Sequence, residues 1–97
     1  MKIKDENIEY LFKCIASLEG IEDTRSFLID LCSMSELEEM SRRIKAARML
    51  RDGCVYAEIA AETGLSTATI SRVNRAIKYG NNGYTKVLEN IKNTENQ

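Results

Sequence analysis

Residues 63–78 carry a run of side chains suited to reading nucleic acid. Thr67, Ala68 and Ser71 are short, so a helix bearing them can approach base edges closely or through a bridging water. The methyls of Ala68 and Thr67 can pack on thymine methyls. Asn74, Arg75 and Lys78 extend the exposed side by further turns, and Arg75 is the long-reach donor, to guanine or to phosphate. Thr63 and Ser66 stand near the N-terminus of that helix, where free backbone N–H groups favour an anion, and are read as phosphate contacts. Arg72 has two candidate duties, bracing the helix against its neighbour or holding a phosphate. The plain alternative is a surface ion pair worth about 0–1 kcal/mol.

Other chemistries find little material. The chain has three scattered cysteines (Cys14, Cys32, Cys54), no Cys-x-x-Cys and no histidine. A zinc site would need thiolates and carboxylates gathered from distant positions, so neither metal nor cofactor is expected. There is no glycine-rich phosphate loop and no nucleophile with a base beside it, so an enzyme is not expected. Ser33 and Ser35 read as helix caps and Cys54 as a spacer.

The reading residues need a scaffold, and residues 55–78 supply one with the pattern of a helix-turn-helix. Ile59, Leu65, Ile70 and Val73 are expected to fill the wedge between two short helices, and Ala60 is small where the second crosses close. Gly64 supplies the positive φ that stops the first helix. Ser66 caps the second.

Around this motif the apolar spacing predicts four more helices. The first runs over about 5–18, with Ile8, Leu11, Phe12, Ile15 and Leu18 on one side. Glu19-Gly20 ends it, and the second covers about 22–32 with Phe27, Leu28 and Leu31. The third starts at Ser33-x-x-Glu36 or at Ser35-x-x-Glu38, since both fit the reciprocal cap. Its buried stripe is expected to be Leu37, Met40, Ile44, Ala47 and Leu50, and Asp52-Gly53 stops it. After the loop Gly80-Asn81-Asn82-Gly83, a last helix covers about 84–91, with Tyr84, Val87, Leu88 and Ile91 on one side. Residues 1–4 and the polar tail 93–97 are expected to be loose.

With 97 residues, no proline and only six aromatic residues, the chain is expected to be one small all-α domain. These helices offer more apolar stripe than so short a chain covers alone, so a homodimer with a shared core is expected. The formal net charge of −1 conceals a division: residues 1–41 sum to −6 and residues 42–97 to +5. The motif lies in the basic part, and DNA affinity needs a positive face, not a positive average. Helix dipoles account for some of this distribution. No signal peptide and no membrane-spanning stretch is found, so a reduced, cytoplasmic protein is expected.

The segments DLCSMSELEEMSRRIKAARMLRDG (30–53) and ETGLSTATISRVNRAIKYGN (62–81) resemble the tryptophan-repressor superfamily, most closely its YerC/YecD group. The resemblance implies a six-helix, interlocked homodimer that binds operator DNA through its fourth and fifth helices. It also implies a ligand pocket. Arg43 and Arg72 match the two arginines that flank tryptophan in the repressor, one of them holding its carboxylate, and Ser33 and Thr69 match polar positions of that pocket. Val73 falls where the repressor has a glycine that lets the indole lie flat, and Ala76 where a serine helps bind the amino group. Overfilling a packed site costs about 1–3 kcal/mol, so tryptophan is not the expected corepressor. Residues 54–57 also depart by one residue in length from the repressor pattern.

Two alternatives stand beside a dimeric DNA-binding regulator, which would be a repressor by this resemblance. One is a helical protein-interaction module, against which the small polar face of 67–71 argues, because partner-binding helices show large apolar anchors. The other is a repressor that senses a small ligand other than tryptophan.

Overall fold

The computed structural model describes residues 5–95, and within them the chain is all-α. Its elements are α1 (Glu6–Ala16), α2 (Gly20–Leu31), α3 (Met34–Arg51), α4 (Tyr56–Thr63), α5 (Thr67–Tyr79) and α6 (Gly83–Glu95). The chain divides into two compact units, Met1–Leu37 and Glu38–Gln97.

In the first unit, Asp5 caps α1 by accepting from Asn7 N at 2.8 Å and Ile8 N at 3.3 Å. Glu6 and Glu9 in the first turn and Lys13 in the last complement the helix dipole. The helix stops two residues before the expected Leu18, where the Ser17 hydroxyl donates to Cys14 O at 2.6 Å. α2 then begins two residues earlier than expected, at Gly20, and Asp23 accepts from Glu19 N at 3.2 Å. Neither helix has a buried residue. Phe12 is 46 % exposed and Ile21 66 %.

The ambiguous start of α3 resolves on Ser33. Glu36 N donates to Ser33 Oγ at 3.1 Å, and Ser33 N donates to Glu36 Oε1 at 2.8 Å. The Ser33 N–H bonded to the carboxylate foremost, and next the Ser33 side chain, hold the Glu36 carboxyl below the usual glutamate range.

The second unit holds the buried residues in two clusters. Ala46, Ile59, Leu65 and Ile70 form one, with Met49, Leu50, Cys54, Tyr56 and Ala60 packed against it. Ala47, Val73 and Leu88 form the other, with Leu50, Ile77 and Tyr84 around it. The fully buried residues of α3 are therefore Ala46 and Ala47, of which Ala47 belongs to the expected stripe and Ala46 does not. Ile44 is 45 % exposed, and Leu37, Met40 and Leu50 are half-buried. Two adjacent alanines differ by about 100° around a helix, so each serves a different cluster. Their small side chains let neighbouring helices approach closely. Lys45 Nζ lies 3.4 Å from Glu62 Oε2, a further link between α3 and α4.

α6 is longer than expected and includes part of the supposed tail, running through Glu95. Only Leu88 on it is buried. Residues 1–4 and 96–97 lie outside the described residues. Among the described residues, no helix is long and apolar enough to cross a membrane, and no group of three or more His, Cys, Asp or Glu side chains could hold a metal ion.

Candidate nucleic-acid interface

α4 ends on Gly64, which sits at φ 74°, ψ 4° and donates its N–H to Ala60 O at 2.9 Å. In that left-handed region a side chain costs about 1–2 kcal/mol, which explains glycine here. The Thr63 side chain is buried beside it. Its hydroxyl donates to Ile59 O at 2.7 Å and accepts from Leu65 N at 3.2 Å. The phosphate duty expected of Thr63 is corrected by this placement, because its oxygen is spent inside the turn. Ser66 is the N-cap of α5, as expected: its Oγ accepts from Thr69 N at 3.1 Å and donates to Thr69 Oγ1 at 3.0 Å.

These anchors fix the rotation of α5. Ile70 and Val73 face inward and are buried; Thr67, Ala68, Arg72, Arg75 and Lys78 are exposed; Thr69, Ser71, Asn74 and Ala76 lie half-buried on the flanks. Val73 is not a wedge residue between α4 and α5. It is 3 % exposed and packs with Ala47 and Leu88. Three residues beyond Ile70 leave Val73 about 60° short of a full turn, on the same inward side but against a different cluster. Among the described residues, no carboxylate lies within 4.0 Å of Arg43, Arg72, Arg75 or Lys78, so the outer face of α5 offers cations that no acid neutralises at close range.

Beside α5 lies a cleft of about 280 Å³ lined by Glu39, Arg43, Thr69, Arg72, Val73, Ala76 and Tyr84. It unites five of the six residues expected at a ligand pocket. Ser33 is engaged instead as the cap of α3. Val73 forms part of the cleft wall while packing with Ala47 and Leu88. Glu39 and Tyr84 were not expected there. Glu39 lies one helical turn before Arg43, which could have marked it; Tyr84 comes from α6 and carries no local signal. The carboxylate of Glu39 lies 3.7 Å from Arg42, so two guanidiniums in the cleft face one carboxylate already partnered. A small anion is the species such a cleft suits.

A second depression, apolar and about 430 Å³, is lined by Ile44, Ala76, Asn81, Gly83, Tyr84, Val87 and Leu88. Cys54, which packs on the first core cluster, has its thiol pushed up by burial and then by the charges of Glu58 and Asp52. A thiol so placed stays protonated and is a poor nucleophile.

Comparison with known proteins agrees with this geometry. The family model described as Trp repressor protein matches residues 6–92. The uncharacterized protein YerC of Bacillus subtilis (strain 168) is 43% identical over 96 residues, covering 99% of this chain and 92% of that protein. The crystal structure of a TrpR-like protein from Eubacterium eligens ATCC 27750 superposes with a TM-score of 0.82 at 44% identity, covering 92% of both chains. A crystal structure from Staphylococcus aureus also has a TM-score of 0.82, at 39% identity, over 92% of this chain and 89% of that one. With the family model spanning α1 to α6, the chain belongs to the Trp repressor family.

Proposed function

We propose that the protein is a transcriptional regulator, a repressor by family, that binds double-stranded operator DNA as a homodimer with α5 in the major groove. One observation carries this reading. α5 is anchored by Ile70 and Val73, and its opposite side presents Thr67, Ala68, Arg72, Arg75 and Lys78 to solvent. That arrangement suits the recognition helix of a helix-turn-helix, whose first turns meet base edges while its cations meet phosphates. Of the two residues expected at phosphate near the helix start, Ser66 is the exposed one, its hydroxyl holding the first turn of α5 whose N-terminus a phosphate would meet. Ser71 and Asn74 flank the exposed line. Family membership supports a regulator in place of an enzyme, and a cytoplasmic location follows from the same role.

The homodimer rests on uncovered apolar surface. α1 and α2 have no fully buried residue, while the 430 Å³ groove of the second unit is apolar and open. A second copy of this chain fits both, and its acidic residues 1–41 complement the basic residues 42–97. Two-fold symmetry would then set two α5 helices roughly 34 Å apart, one DNA turn.

Arg43 and Arg72 suit an anionic group, but the place of the amino-binding serine is taken by Ala76. Tryptophan therefore lacks a polar partner here, and calorimetry with millimolar tryptophan should give no heat of binding. A clear heat would reverse this point.

Selection from random duplex DNA, run with and without a small-metabolite mixture, tests the main reading. An enriched duplex, bound by a dimer and released steeply as salt rises, is the expected result. Failure of any duplex to enrich in either arm overturns it.

A further inference from the structure

Tyr79 is the most exposed large side chain of apolar body in the described residues, at 83 %. It lines neither the cleft nor the apolar groove and joins neither core cluster. Its place on α5 is informative. At about 100° per residue, Ala68, Arg72, Arg75 and Tyr79 fall within about 30° of one line along the helix, opposite Ile70 and Ile77. All four are exposed. The line is thus a small residue, two guanidiniums without a close carboxylate, and a phenol.

We propose that Tyr79 extends the DNA contact of α5, its phenolic hydroxyl donating to a phosphate oxygen at the edge of the groove. This rests on the DNA-binding reading above and adds a residue to it. The line from Ala68 to Tyr79 is about 16 Å long, and the major groove is about 12 Å wide. With Ala68 at the base edges, the last turn of α5 reaches the strand that borders the groove. The group met there is a phosphate, a strong acceptor without a donor of its own. A tyrosine reaches it with a neutral O–H and keeps its ring over the sugar-phosphate chain. Arg72 and Arg75 provide the charge, and Tyr79 sets how the far end of the helix lies.

The test uses the whole protein and the duplex it selects. Dissociation constants of the parent, Tyr79→Phe and Tyr79→Ala are measured over a range of salt concentrations, with dimer state and helicity followed by sedimentation and circular dichroism. Loss of one hydrogen bond to a charged phosphate predicts that Tyr79→Phe binds about ten- to a hundredfold more weakly at every salt concentration, with the salt slope unchanged because no charge is removed. The dimer and helicity should stay those of the parent. Tyr79→Phe binding as tightly as the parent overturns the hydrogen bond. So does a loss confined to Tyr79→Ala and accompanied by loss of the dimer, which would place Tyr79 in a protein interface. If the parent itself selects no duplex, the DNA-binding reading fails, and Tyr79 falls with it; a parent that binds with Tyr79→Phe unimpaired isolates the failure to this residue.

Discussion

The hydroxyl of Thr63 lies inside the turn between α4 and α5, bonded to Ile59 O and Leu65 N. In sequence, a threonine before glycine reads as polar and exposed, and nothing local reveals that its oxygen turns inward. Thr63→Val removes the oxygen but keeps the shape, leaving the buried Leu65 N–H without its partner. A loss of about 1–3 kcal/mol in unfolding free energy is expected, measured by urea titration. Its salt slope in DNA titrations should match that of the parent, since no phosphate contact is removed. Glu36 belongs at this scale too. Its carboxyl is held below the usual glutamate range, so it stabilises the fold above the unfolded pKa and loses that contribution as pH falls through the folded value. Glu36→Gln should therefore lower the thermal midpoint at neutral pH, and the difference from the parent should close in strong acid. The reciprocal cap was legible because Ser33 and Glu36 are three residues apart; only the structure chose it over Ser35 and Glu38.

Among the elements, α5 was the most legible and α3 the least. Ser66, Gly64, Leu65 and Ile70 act within a few residues of one another, so their spacing carries their roles. On α3 the expected stripe holds at Ala47 and fails at Ile44, which fits the period yet is 45 % exposed, while Ala46, off the period, is buried. Val73 is inward as expected but packs with other partners than the α4–α5 wedge. Ile70 and Val73 are both inward, but they serve different clusters, and that depends on where α6 lies. The same dependence kept Tyr84 out of the expected cleft. The outer face of α5 yields a prediction of its own. Arg75 is exposed and has no carboxylate within 4.0 Å among the described residues. Arg75→Ala should weaken binding of the selected duplex and, where the arginine meets phosphate, lower the salt slope by about one. Dimer and helicity should be untouched, because the side chain packs on nothing in the core.

For the whole molecule, the question is where the apolar stripes of α1 and α2 go. Phe12 is 46 % exposed and Ile15 43 %, and neither helix has a buried residue. The one-sided spacing was legible in the sequence; what covers it was not, because one chain's periodicity cannot say which copy supplies the cover. In a monomer, replacing a half-exposed Phe12 would change little. In a homodimer whose core includes α1, the same residue is sealed, and a charge there leaves an unpaired carboxylate in an apolar contact. The two cases separate cleanly in thermal unfolding. For a dimer the midpoint of the parent rises with protein concentration, because association draws on the folded state only. Phe12→Glu should remove that dependence and shift sedimentation to the monomer mass. It should also abolish tight binding to a duplex with two half-sites while leaving weak binding to one. A midpoint that does not move with concentration in the parent would mean that the acidic N-terminal helices are not the seat of the second copy.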